Sequence, residues 1–282
     1  MKKRMLTMLL SCGITVFTAQ LHAGGDKASL GPKKAPLTLK YIANCGVMIS
    51  SGSAKVLIDA LFDKPADGYY RAPDPADLEK ILNGEAPFDG IDLALVTHNH
   101  PDHFDTGLAV RFLEGNPRAR LLAPTDAVVE IKKNASDWKK IEKRVLAPEI
   151  AAGNKMEQKI GPIQVTAMCT LHSGGEQPLN YMYLLDIAGR RVFHEGDSVG
   201  KPEAFSGFGL SETHIDLALV HFWFPLNPDC AKFLQEILKV DHIGLTHLPI
   251  RLESDTPAKI DMVRQYYKDI FLLLPGIPEK TF

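Results

Sequence analysis

Residues 97 to 103 read Thr-His-Asn-His-Pro-Asp-His, which sets His98, His100, Asp102 and His103 close together in the chain. Imidazole nitrogen and carboxylate oxygen are the donors that zinc, manganese and iron all accept. At the end of a strand and the start of a helix, with Pro101 stiffening the turn, four such side chains converge on one point instead of spreading along a face. The cluster predicts a metal site. A polar turn with chance histidines is the plain alternative, and it leaves the H-x-H-x-D-H spacing unexplained.

The elements that must present this cluster are legible on both sides of it. Residues 91–96, Ile-Asp-Leu-Ala-Leu-Val, are expected as a buried strand running straight into Thr97-His98, and residues 104–113 have helical spacing. Upstream, residues 37–43, 46–50 and 55–60 show the alternation or β-branching of strands, with Ser51-Gly52-Ser53 as a turn, and predict a β-meander. Residues 63–75 hold Pro65, Gly68, Pro73 and Pro75 around Tyr69-Tyr70 and read as a long surface loop, a class that is often functional. Short helices are expected over 77–82, 125–133 and 136–143, the second led by Pro124 and Thr125. A second meander covers 155–160, 163–171, 179–187 and 190–194, with turns at Gly161-Pro162 and Gly189-Arg190. Helices over 229–238 and 256–268 follow, with a strand over 241–246 between them.

The hexapeptide recurs. Residues 215–220 again spell Ile-Asp-Leu-Ala-Leu-Val, and a histidine, His221, again stands just beyond. The repeat suggests two related halves, each presenting a strand end to a common site. Strand runs broken by helices in two similar halves argue for two packed sheets with helices outside, a four-layer αββα sandwich of the α/β (α+β) class.

With 282 residues, 45% of them apolar and 23% charged, the composition suits one globular domain, placed at residues 37–282. Residues 1–23 differ: Met1-Lys2-Lys3-Arg4 is a positive start, residues 6–17 an apolar run, and Ala19-Gln20-Leu21-His22-Ala23 a small-residue end. They read as a signal peptide cleaved after Ala23, followed by a flexible leader over 24–36, and place the protein in the periplasm or outside the cell. The apolar run is shorter than the roughly 20 residues a bilayer core requires, so no stable membrane insertion is expected. Lipid attachment at Cys12 is the alternative. Cleavage removes three of 32 basic residues against 34 acidic ones and leaves a net charge of about −5, which implies no nucleic-acid partner. The basic residues Lys132, Lys133, Lys139, Lys140, Lys143 and Arg144 alternate with Asp137 and Glu142 and read as a solvated helical face. Cys45, Cys169 and Cys230 remain, an odd number without C-x-x-C spacing; they are expected as core thiols, with one bridged pair as the alternative.

Beyond the first cluster, Leu171-His172-Ser173-Gly174-Gly175, Glu195-Gly196-Asp197-Ser198 and Leu245-Thr246-His247-Leu248-Pro249 complete a pattern that resembles the metallo-β-lactamase superfamily, and within it the ascorbate-6-phosphate lactonase-like hydrolases. The resemblance spans nearly all of the mature chain. It implies that His98, His100 and His172 bind one metal, that Asp102, His103 and His247 bind a second, and that Asp197 bridges them. It also implies that Asp59, in Leu57-Ile58-Asp59, orients the metal-bound histidines from behind. Two departures stand out: Ala43-Asn44 where the family often has Gly-His, and Asp59-Ala60 where it often has Asp-Pro. Neither is expected to touch a ligand.

Two divalent cations about 4 Å apart lower the pKa of a shared water from about 15.7 towards 7 and give hydroxide at neutral pH. The expected activity is hydrolysis of an ester-like bond, lactone or phosphodiester, in a small-molecule substrate, with two metal ions, zinc first and manganese or iron as alternatives. Asp102 is the candidate for orienting the water and passing a proton to the leaving group. His221 either touches substrate, serves as a general acid, or is structural. His194 is expected in the core, and His214 and His242 at the surface. Trp223, Phe224, Tyr69 and Tyr70 either line an apolar pocket or pack in the core. Rival readings are a β-lactamase or a mononuclear iron oxygenase of the same fold, and a periplasmic metal-capture protein.

Overall fold

The computed structural model describes residues 34–65, 68–267 and 269–282, so the signal-peptide expectation and most of the leader lie outside the described residues. Residues Lys34–Phe282 form one compact unit. Its first sheet begins as the expected meander, β1 (Leu37–Ala43), β2 (Gly46–Ser51) and β3 (Ala54–Ile58), and continues in parallel through β4 (Leu93–Leu95), β5 (Arg120–Leu122) and β6 (Val145–Leu146). The second sheet repeats this plan. An antiparallel run of β7 (Lys155–Ile160), β8 (Ile163–His172), β9 (Gly175–Ile187) and β10 (Arg190–His194) leads into parallel β11 (His214–His221), β12 (Lys239–Thr246) and β13 (Ile270–Leu272). A last strand, β14 (Lys280–Thr281), returns to pair with β1.

Three apolar clusters define four layers. Between the sheets, Val47, Ile49, Val56 and Ile58 meet Val165, Tyr183, Val192, Leu217 and Leu219. The outer face of the first sheet is covered by α1 (Pro75–Asn83), α2 (Thr106–Gly115), α3 (Thr125–Asn134) and α4 (Trp138–Ile141), and that of the second by α5 (Pro228–Glu236) and α6 (Thr256–Val263). This is the αββα sandwich, and it follows from strands apolar on both faces that need cover on both sides. Two helix starts carry side-chain caps: Asp74 accepts from the Ala76 and Asp77 amides, and Asp105 from the Leu108 amide. The helices expected over 136–143 and 256–268 are shorter, each passing into a 3₁₀ turn at Glu142–Arg144 and Arg264–Tyr266.

The repeated hexapeptide marks a real duplication. In the first sheet Val56 pairs with Leu93 and Ile58 with Leu95; in the second Val192 pairs with Leu217 and His194 with Leu219. The aspartate of each hexapeptide does the same work, Asp92 accepting from the Lys55 amide (3.0 Å) and Asp216 from the Arg191 amide (2.8 Å). At the other end, Asp59 N–H donates to Leu95 O (3.0 Å) and Glu195 N–H to Leu219 O (3.1 Å). Both halves thus deliver an acidic residue and a strand end to one edge of the sandwich.

The three cysteines are buried and free, so the bridged-pair alternative is corrected: Cys169 packs between the sheets and Cys230 on the buried face of α5, in different clusters. His194 is buried, His214 exposed and His242 half-buried, the last two beside Asp241 and Asp269.

Candidate metal centre

At the end of β4 the chain leaves the sheet through Thr97-His98 and doubles back at once, the His103 and Phe104 amides both donating to His100 O (3.0 and 2.9 Å). This turn faces His98, His100, Asp102 and His103 into one space. Behind it, Asp59 sits past the end of β3 with φ of 46°, a left-handed conformation that aspartate tolerates better than most residues. Its carboxylate accepts from the Thr97 amide (2.8 Å), the Thr97 hydroxyl (2.6 Å) and His103 Nδ1 (2.8 Å). With its proton committed to Asp59, the Thr97 hydroxyl can only accept from His98 Nδ1, 3.0 Å away. Both rings therefore carry a proton on Nδ1 and turn Nε2 into the site, where His98 Nε2 accepts from His100 Nδ1 (3.1 Å).

The second half contributes three more side chains. His172 ends β8, Asp197 follows β10 across Gly196, and His247 follows β12 with φ of 59°. A side chain at Gly196 would bring its Cβ to 2.7 Å from Thr97 Cβ, so the close approach of the two halves requires glycine there. Asp197 Oδ2 lies 3.9 Å from His98 Nε2, 3.5 Å from His172 Nε2 and 3.0 Å from His247 Nε2; Oδ1 lies 3.4 Å from His103 Nε2. Asp102 Oδ2 is 3.4 Å from His247 Nε2 and 3.7 Å from His103 Nε2. All seven side chains named from the sequence meet, in two groups with Asp197 between them, and Asp59 stands behind.

Three of the nitrogens, His103 Nε2, His172 Nε2 and His247 Nε2, are buried without a hydrogen-bond partner. Buried ring nitrogens that face carboxylates without a hydrogen bond call for a positive charge between them, a proton or a metal cation. The donor set of imidazoles and carboxylates fits a divalent metal in each group. His172 is a partial exception, since the Gly174 amide donates to its Nδ1 (2.9 Å), which leaves the proton on Nε2. Coordination through Nε2 requires that proton to leave and the Gly174 contact to open.

The electrostatics match this picture. Burial and the neighbouring imidazoles hold His98 well below the ordinary histidine value, and burial, then His172, lowers His100. For His103 burial is outweighed by the Asp197 and Asp59 carboxylates, which raise it well above that value. Asp197 is buried, which opposes its charge, yet His247, His103 and His221 hold it well below the usual carboxylate range.

A model of the family described as Beta-lactamase superfamily domain matches residues 54–255. The chain belongs to the β-lactamase superfamily. Solved structures of similar fold include Igni18, a metallo hydrolase from Ignicoccus hospitalis (16% identity, 88% of this chain and 98% of that one, TM-score 0.60). The metallo-β-lactamase fold protein YhfI from Bacillus subtilis is as similar (16% identity, 88% and 100% covered, TM-score 0.59). The diiron β-hydroxylase CmlA from Streptomyces venezuelae shares the fold over 55% of its length and 89% of this chain (16% identity, TM-score 0.51). Among curated proteins none matches significantly.

Within this superfamily fold further residues stand behind the proposed ligands. His221, for which a structural role is one of the expected readings, is buried, with Nε2 3.0 Å from Asp197 Oδ1 and Nδ1 2.6 Å from Glu195 Oε1. Burial alone would lower its pKa, but Glu195 and Asp197 raise it to about 10. Its geometry is that of a positioning residue behind Asp197. Glu195 has no role assigned from the sequence, although it occupies the place in the second half that Asp59 occupies in the first, and accepts from the His221 amide (2.5 Å). Asn44 is a second correction, since a departure expected to touch no ligand donates from Nδ2 to Asp102 Oδ2 and to Asp102 O, both at 3.1 Å.

Of the four aromatic residues, Phe224 is core and Trp223 stacks on His221 at 5.4 Å. Tyr70 alone reaches the ligands, its ring edge-on to His247 at 4.3 Å. Burial, then Asp197 and Asp102, keep its hydroxyl protonated. The loop that carries it is tied to the segment after His247, where the Ile250 amide donates to Tyr69 O (3.0 Å) and Arg71 pairs with Glu253 through two bonds of 2.7 Å.

Proposed function

We propose that this chain is a secreted hydrolase that uses two divalent cations to cleave an ester-like bond, a lactone or phosphodiester, in a small molecule. The observation that carries the reading is the position of Asp197, one buried carboxylate within 3.9 Å of imidazole nitrogens from both groups. His98, His100 and His172 would hold one cation, Asp102, His103 and His247 the other, with Asp197 common to both and zinc the first candidate. Bound there, such cations supply Lewis acidity and a water that ionises near neutral pH. Asp102 faces the same space with one oxygen fixed by Asn44, which suits it to orient the attacking water and hand its proton to the leaving group. Tyr70 offers a protonated hydroxyl on the outer side of His247, suited to hold a substrate oxygen. Residues 1–23 direct export, with the mature chain starting at Gly24.

Elemental analysis of the purified protein, with turnover of a lactone and phosphodiester panel by wild type and His100→Ala, tests the reading. About two metals per chain and loss of turnover in the variant are expected. Equal turnover by both proteins would defeat it, and so would iron with substrate-dependent oxygen uptake. The N-terminal sequence of the exported protein tests the leader.

A further inference from the structure

The turn between β1 and β2 is driven into the metal centre. Asn44 takes φ of 49°, and Gly46 allows an approach that a Cβ would prevent, since that atom would stand 2.7 Å from Asp59 O and 2.8 Å from Ala43 O. Between them Cys45 is fully buried and held twice: His194 Nε2 donates to its carbonyl (3.1 Å), and its thiol donates to Thr246 Oγ1 (3.6 Å). Its Sγ thereby joins nitrogens of His103 and His247 and an oxygen of Asp197 in one cluster, all four atoms within 4.8 Å of one another. The cluster contains two of the orphaned buried nitrogens, His103 Nε2 and His247 Nε2. Asp102 Oδ2 borders this quartet, 3.4 Å from His247 Nε2 and 3.7 Å from His103 Nε2.

Resting on the metal-centre reading above, we propose that Cys45 Sγ is a further ligand of the cation held by Asp102, His103 and His247, on the side that Asp197 shares. Tetrahedral coordination at about 2.3 Å from sulfur and about 2.1 Å from nitrogen sets such donors about 3.6 Å apart. The quartet's longest separations have to shorten by up to about 1.2 Å to reach that spacing. A coordinating thiol gives up its proton; it passes to solvent, and the Thr246 hydroxyl, which donates to Val220 O at 3.2 Å, turns its hydrogen to the sulfur. The thiolate is a soft donor in an otherwise nitrogen and oxygen site. It biases this position towards zinc, cobalt and iron and against magnesium and manganese.

Cobalt(II) loading of the chelator-stripped protein tests the assignment, because visible d–d absorption reports bound cobalt whatever the donors, while near-ultraviolet charge transfer reports a thiolate ligand. Wild type is expected to show both. Cys45→Ser keeps the visible bands, loses the charge-transfer band and binds zinc at this position at least about tenfold more weakly. The Cys169→Ser/Cys230→Ser double variant retains the band, so wild type and this variant decide the matter even where Cys45→Ser does not fold. Visible bands without charge transfer in wild type overturn the cysteine assignment and leave the metal centre standing, as does a band that survives in Cys45→Ser. No cobalt uptake overturns both.

Discussion

Thr97→Val should disable one half of the metal centre and spare the other. The substitution is close to isosteric at a fully buried position, and the Thr97 amide keeps its 2.8 Å bond to Asp59. What disappears is the hydroxyl that donates to Asp59 at 2.6 Å and accepts from His98 Nδ1 at 3.0 Å. A bond to a charged group contributes about 1.5–3 kcal/mol, and the extra methyl returns about 0.8 kcal/mol of burial. The net loss of stability is then about 1–2 kcal/mol. The larger effect falls on His98, whose Nδ1 loses its acceptor and whose Nε2, which faces His100 Nδ1 at 3.1 Å, is no longer held as the acceptor nitrogen. Affinity for the cation at His98, His100 and His172 should fall about 10–100-fold. His103 keeps its own bond to Asp59, so the second cation should bind as in wild type. Competition between the stripped protein and a chromogenic zinc chelator resolves the two events, and Thr97→Ser, which keeps the hydroxyl, should restore the first. Wild-type affinity at both positions in Thr97→Val, or equal loss at both, would refute the tautomer reasoning.

Three further outcomes are expected. His221 is raised to about 10 in the metal-free fold against an ordinary value near 6.5, so its stabilising contribution is complete below about pH 6.5 and is lost as the pH climbs through about 10; chemical denaturation of metal-free wild type and His221→Gln should show a stability gap that closes over that window. Metal binding should open the Gly174 amide to His172 contact, and with about 1 kcal/mol lost, exchange of that amide should quicken roughly fivefold on zinc loading. Tyr183→Phe removes the hydroxyl that donates from the second sheet to Val96 O in the first (2.7 Å), leaves that carbonyl buried and unpaired, and should cost about 1–3 kcal/mol in thermal denaturation with no change in metal content.

The metal centre was legible because its first four residues lie within one turn, where spacing alone implies convergence. The meander strands were equally plain, since β1, β7 and β10 have the alternation or run length that sheet burial imposes. The short strands β5, β6, β13 and β14 escaped because segments of two or three residues pair only through neighbours that bring them into register. The supporting residues were hidden for a different reason. Asn44, Cys45 and Glu195 act across distances of 58, 201 and 26 residues in the chain, towards Asp102, Thr246 and His221, and no local pattern announces such contacts. Only the duplication held a clue to Glu195: aligning β10 with β3 sets it opposite Asp59.

The pairing of β14 with β1 has a consequence for how this molecule can be rewired. The Phe282 amide donates to Leu37 O at 2.8 Å and the Leu37 amide to Phe282 O at 3.2 Å, so these two residues are already neighbours. A short linker joining them, with new ends opened in the exposed stretch 151–154 between the duplicated halves, gives a circular permutant whose two lobes are synthesised in reverse order. Because the cation-facing side chains come from both lobes, such a permutant makes the order of assembly an experimental variable while the finished centre stays the same.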